Sequence, residues 1–236
     1  MKNLRKNLLL AAAALSLGAC AHTAMMTSER QAAPASAHYV DPAWFADSDF
    51  PPPPAPDSME QAADVAGVLA WQNKRTEEDC ARARRTADEE YYDYWGSTSP
   101  FGAAVPAEFS DLFSGLAGDF EAALEVMKDR FRRPRPFVTY EEVTPCVKKK
   151  SSYSYPSGHA SASRVTAEVL SDLVPERSDE FFAKADEIAQ DRVVGGAHYP
   201  ADVEAGKKFG DLFHERLLLS EKYRADLEKA KALLKR

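Results

Sequence analysis

Eight apolar residues (Phe109, Leu112, Phe113, Leu116, Phe120, Leu124, Met127 and Phe131) recur at three- and four-residue steps without a break. That is the α-helical period, and it places all eight on one face. A stripe this long has to be buried, and the rest of the chain supplies helices to bury it. Pro134 and Pro136 are expected to stop the stripe, because proline lacks an amide donor and crowds the preceding turn. Ser58 and Gln61 have capping-box spacing and predict a helix running past Trp71. A second helical stretch carries Cys80 and ends near Tyr91, Tyr92, Tyr94 and Trp95, with Ser97 to Pro106 as loop. Residues 137–155 read as irregular, and helices are expected at about 157–174, 178–194, 200–218 and 220–235. No alternating run is long enough for a sheet, and no internal repeat is present. The expected fold class is all-α, a compact single-domain helical bundle over residues 58–236.

Composition narrows the class of function. The chain has 236 residues, 44% of them apolar, which suits one globular domain and argues against disorder. With 37 acidic against 30 basic residues, it is a poor general binder of nucleic acid. Only one long apolar run exists, Leu8 to Leu17 behind Lys2, Arg5 and Lys6, and it is too short to span a bilayer comfortably. Residues 1–19 are therefore expected to be a secretory signal peptide. The ending Leu17-Gly18-Ala19-Cys20 resembles a lipobox and predicts lipidation at Cys20; the rival is simple cleavage near Ala19 or Ala21. Either way the protein is expected in the periplasm, touching a membrane only through such an anchor. In that oxidising compartment Cys80 and Cys146 are expected to pair. Residues 20–57 are proline-rich and read as a tether, although Trp44, Phe45 and Phe50 are apolar enough for part of it to pack on the domain.

Three segments are chemically unusual for a helical bundle. The first runs from Lys128 to Pro136, in a region (128–150) that holds eight basic residues against three acidic ones. A basic run is usually a solvated face. The second is Pro156-Ser157-Gly158-His159 at an expected helix start, where free amides and the positive dipole end favour an anion. Gly158 leaves room for close approach, and His159 puts a titratable ring alongside. The third runs from Asp191-Arg192 through Gly195 and Gly196 to His198 and Asp202. A carboxylate four residues after a histidine can orient the ring and make its other nitrogen more nucleophilic. The plain alternative is a surface histidine in an ordinary ion pair. Of the five histidines, His22 and His38 lie in the leader and tether, and two of the other three fall in these segments.

In this order the segments resemble the signature shared by type 2 phosphatidic acid phosphatases and vanadium haloperoxidases: Lys, six residues, Arg-Pro; Pro-Ser-Gly-His; Ser-Arg, five residues, His, three residues, Asp. Here the signature falls on Lys128 and Arg135-Pro136, on Pro156 to His159, and on Arg192, His198 and Asp202. "PPPPAPDS", "RRPRPF", "YPSGHAS" and "GAHYPADVEAG" are further similar to the class A bacterial non-specific acid phosphatases, over roughly residues 50–220. A three-part signature is far more specific than any single motif. One position departs from it: Asp191 stands where the family usually has Ser. That carboxylate would repel phosphate if it faced the pocket, or would hold an arginine if it paired.

The resemblance implies a metal-independent acid phosphatase with no cofactor, acting on small phosphate monoesters. Lys128, Arg135, Ser157, Gly158 and Arg192 would bind phosphate. His198 would be the nucleophile, Asp202 its orienting acid and His159 the proton donor to the leaving alcohol. No HExxH, paired-cysteine zinc spacing or calcium loop is present in the sequence. The rivals are a vanadate-dependent haloperoxidase with the same cradle and a catalytically dead oxyanion-binding lipoprotein. A homo-oligomer is left open.

Overall fold

The computed structural model describes residues 37–88, 95–101 and 105–234. The leader, Cys20, and the expected end of the second helix around Tyr91, Tyr92 and Tyr94 lie outside the described residues. The helices are α1 Met59–Lys74, α2 Glu77–Asp88, α3 Ser110–Phe131, α4 Pro136–Thr139, α5 Gly158–Leu173, α6 Ser178–Val194, α7 Pro200–Leu219 and α8 Glu221–Leu234. Among the described residues there is no strand, and the fold is all-α. No described helix is long and apolar enough to cross a membrane.

α5 is the central element and packs against both α6 and α7. Its contact with α7 is close because Gly206 carries no side chain: a Cβ there would lie 2.7 Å from the Ser157 carbonyl oxygen and 2.8 Å from Ala160 Cβ. The α3 stripe is buried as its period requires, with Leu112, Phe113, Leu116, Phe120, Leu124 and Met127 in the main core beside Phe209 and Phe213 of α7. Two polar side chains, Asp119 and Lys128, are buried on the same helix.

α3 ends earlier than its prolines suggest. Arg132 adopts the left-handed conformation (φ 48°, ψ 32°), and its amide donates to the Lys128 carbonyl at 2.9 Å. This C-cap turns the chain two residues before Pro134. Pro136, expected to be a stop, opens the single turn α4, where its fixed φ suits the first helical position.

The arm before α1 is packed more extensively than a tether. Part of residues 20–57 packs on the domain, as expected: Val40, Phe45 and Phe50 join the main core, and Phe45 lies 5.2 Å from the Phe209 ring. Asp119 takes the backbone amides of His38, Tyr39 and Val40 at 2.9, 2.5 and 2.9 Å, which fastens the arm to α3. Trp44 stays 38% exposed under the Arg216 guanidinium. Cys80 and Cys146 form a disulfide that ties α2 to the loop after α4.

Candidate active site

The signature segments meet at a cavity of about 320 Å³. Lys128, Arg135, Gly158, His159 and His198 line it, with Phe120, Leu124 and Ala162 as an apolar wall and Glu121, Lys150 and Ser152 completing the lining. Lys128 comes from the last turn of α3, where a cation also suits the helix dipole. Arg135 sits just beyond the left-handed turn. Its Nε donates to the Ser152 carbonyl at 2.8 Å and its Nη1 to the Ala197 carbonyl at 3.1 Å. Burial lowers the pKa of both cations; the Arg135 charge lowers that of Lys128 further, while Asp202 partly opposes the fall at Arg135. A multiply charged anion would offset that desolvation.

The α5 N-terminus opens at the cavity, where Gly158 and His159 line it. Ser157 occupies the N-cap position, yet its side chain makes no capping hydrogen bond and its Oγ is buried without a partner. A buried unpaired hydroxyl costs about 1–3 kcal/mol, so a cap alone does not explain the residue. Its backbone amide donates to the Asp202 carbonyl at 2.9 Å and joins the start of α5 to the first turn of α7. At Gly158 a Cβ would press on Leu124 Cδ2 at 3.0 Å and lie 3.8 Å from Lys128 Nζ, so the missing side chain keeps Lys128 close to the helix start.

His198 is delivered by the turn after α6. The amides of Ala197 and His198 both donate to the Arg192 carbonyl, at 3.0 and 3.3 Å, across a bend in which Gly196 has φ +72°. His198 Nε2 lies 3.0 Å from Arg135 Nη1, and Nδ1 faces Asp202 Oδ2 at 3.4 Å and Ser154 Oγ at 3.3 Å. A guanidinium only donates, so Nε2 accepts and the ring proton sits on Nδ1. Burial and the Arg135 charge push the His198 pKa down to about 4, against the pull of Asp202. The ring is therefore neutral, with its Nε2 lone pair directed to Arg135 on the cavity wall.

Asp202 is wholly buried and fully engaged. Oδ1 accepts from Arg133 Nη1 at 2.6 Å; Oδ2 accepts from the Tyr199 amide at 2.9 Å and from Ser154 Oγ at 2.5 Å. Burial alone would raise its pKa, but contact with His198, the Arg133 charge and the Ser154 hydroxyl outweigh that and hold it below the usual carboxylate range. Arg133 continues to Asp64 Oδ2 and Gln61 Oε1 on α1, each at 2.6 Å, and lies over the Tyr199 ring. Sequence reasoning missed Arg133, Asp64 and Ser154. Their only sequence-level hint was that Arg133 belonged to the basic run and Ser154 preceded the Pro-Ser-Gly-His segment.

Not every expected ligand lines the cavity. Ser157 and Asp202 stand behind its wall, and so does Arg192. Arg192 Nη2 donates to the Ala83 carbonyl at 2.7 Å and to Thr86 Oγ1 on α2, although its charge is close enough to act on His159. Asp191 turns away from the cavity to Arg82 Nε at 3.0 Å and Thr86 Oγ1 at 3.1 Å. The departure from the family pattern thus holds an arginine of α2, and Thr86 joins it to Arg192. His159 Nε2 lies 3.3 Å from the Ala87 carbonyl, and burial with the charge of Arg192 lowers its pKa to about 3. Among the described residues no group of His, Cys, Asp or Glu is arranged to hold a metal ion.

Residues 112–218, which contain the whole signature, match the PAP2 superfamily. The chain is 35% identical over 108 residues to a non-specific acid phosphatase of Salmonella typhi, a stretch covering 44% of this chain and 43% of that protein. It thus spans less than half the length of that relative. It is also 28% identical over 194 residues to a non-specific acid phosphatase of Providencia stuartii, 77% of each chain. In fold it is similar to a bacterial vanadium-dependent iodoperoxidase, with TM-score 0.58 and 22% identity over 79% of this chain and 59% of that one. The chain carries a PAP2 superfamily domain.

Proposed function

We propose that the protein is an acid phosphatase that hydrolyses small phosphate monoesters through a phosphohistidine on His198, without a metal. The observation that carries this reading is the placement of His198 Nε2, a neutral acceptor 3.0 Å from Arg135 Nη1 on the wall of a cationic cavity. A phosphate oxygen taken by Arg135 brings phosphorus next to that lone pair. Lys128 and Arg135 hold the non-bridging oxygens as point charge and fork, and the Gly158 and His159 amides at the start of α5 supply neutral donors. Arg192 reinforces the field from behind Thr86.

Nε2 attacks in line; the N–P bond forms as the ester P–O bond breaks, and His159 gives its proton to the departing alcohol. Water then attacks phosphorus, His159 takes its proton, and phosphate leaves with restoration of His198. Charge on the equatorial oxygens is stabilised by the cations throughout. The bound phosphate opposes the influence of Arg192 on His159 and raises its pKa towards the working range. A pKa of about 4 keeps the nucleophile unprotonated in mild acid, which suits an acid phosphatase. The names of the relatives support a broad range of monoesters.

The leader supports export to the periplasm with lipidation at Cys20, and mass spectrometry of the mature N-terminus tests that part. The activity is tested with a panel of phosphomonoesters at acid pH, wild type beside His198→Ala, with chelator present. Turnover and an acid-labile phosphoenzyme are expected only in the wild type. Equal turnover in His198→Ala, or complete loss with chelator, overturns the mechanism.

A further inference from the structure

The attacking ring and its carboxylate meet only through a long contact. His198 Nδ1 and Asp202 Oδ2 are 3.4 Å apart, longer than the ~2.7–2.9 Å of a charge-assisted nitrogen–oxygen hydrogen bond. Ser154 Oγ lies beside both, 2.5 Å from Asp202 Oδ2 and 3.3 Å from His198 Nδ1. The donors and acceptors have one consistent arrangement. Asp202, paired with Arg133, only accepts, so the Ser154 hydroxyl gives it its single proton and keeps lone pairs free. Arg135 only donates, so the His198 proton is on Nδ1 and points towards those lone pairs.

We propose that Ser154 is a positioning residue, whose hydroxyl relays the hold of Asp202 onto the His198 ring. The proposal rests on the phosphatase reading of the site. When Nε2 bonds phosphorus the ring becomes cationic and Nδ1–H becomes a stronger donor. The hydroxyl then passes the carboxylate's influence to the ring while every proton stays on its own atom, and the leaving oxygen takes its proton from His159. The hydroxyl is not needed to fix the Ser154 backbone, since its amide already donates to the Arg133 carbonyl at 2.8 Å.

Ser154→Ala is expected to lower kcat for p-nitrophenyl phosphate at least about ten-fold with KM within about two-fold, because Lys128 and Arg135 are untouched. Ser154→Ala in an Asp202→Asn background is expected to add little to the loss from Asp202→Asn alone, since both changes cut one relay, and Ser154→Thr is expected to recover part of the rate. Thermal melts establish that each variant is folded; Ser154→Cys, which keeps the volume and weakens the hydrogen bond, replaces Ala if that variant is not. A kcat near wild type in a folded Ser154→Ala protein, or losses that multiply in the double variant, overturns the relay. The low-field Nδ1 proton of His198 in the NMR spectrum gives a readout independent of turnover. It is expected to shift upfield in Ser154→Ala, and an unmoved resonance overturns the relay. If the wild type hydrolyses nothing yet the resonance shifts, the phosphatase reading fails and the relay stands.

Discussion

Arg133 and Asp202 form a buried ion pair of 2.6 Å, and the same guanidinium reaches Asp64 on α1 at the same distance. A charge that helps hold the orienting carboxylate ionised is thereby also the joint between the first helix and the site.

Arg133→Met is expected to destabilise the fold by about 3–5 kcal/mol, because two buried carboxylates lose their shared partner. Thermal denaturation measures it. A companion Asp64→Asn change in the Met background is expected to return part of the loss, since one stranded charge is then removed.

Asp202→Asn is expected to lower kcat by about 10²-fold or more, because the ring loses its carboxylate-backed tautomer. Asp202 is also the buried partner of Arg133 and the N3 residue of the α7 capping box, so a stability loss of about 3 kcal/mol is expected alongside. Steady-state kinetics and melting curves separate the two effects.

The pH profile has a defined acid limb. His198 has its pKa lowered by burial to about 4. Below that value the ring gains a proton and Nε2 has no lone pair to offer. kcat/KM is expected to hold as pH falls from neutrality and to drop through about pH 4. A drop centred near the ordinary histidine value would show that His198 is not the titrating nucleophile.

Phe45→Ala is expected to cost about 3–5 kcal/mol, as for a phenylalanine in a packed core, although the residue lies in a proline-rich arm. Asp119→Ala is expected to release the arm, read as faster amide exchange at Tyr39 and Val40, because those amides donate to its carboxylate.

Replacing Cys80 and Cys146 by Ser is expected to cost up to ~4 kcal/mol in the chain-entropy account, given the sequence separation of 66. Equilibrium unfolding of oxidised and substituted protein measures it.

Local patterns carried most of what the sequence disclosed. The period of Leu112 to Met127 is a property of one helix, and so are the Ser58 cap and the spacing from Pro200 to Asp202. Neighbouring residues also set the Pro156–His159 helix start. What stayed hidden depends on which helices become neighbours. Nothing in one strand of text pairs Arg133 with Asp64, 69 positions away, or turns Arg192 towards Ala83 and Thr86 of α2. Ser154 has a role only because the segments carrying His198 and Asp202 pack beside it. The apolar Phe45 and Phe50 disclosed that part of the proline-rich residues 20–57 packs, but the Asp119 carboxylate that fastens the arm lies about 80 positions away and stayed hidden.

Asp202 caps α7 through the Tyr199 amide while it serves the ring through Ser154. Folding of the first turn of that helix and readiness of the site are therefore a single event. A protein that unravels there loses its nucleophile's alignment before it loses its core, so activity should be an earlier reporter of thermal damage than any spectroscopic measure of helix content.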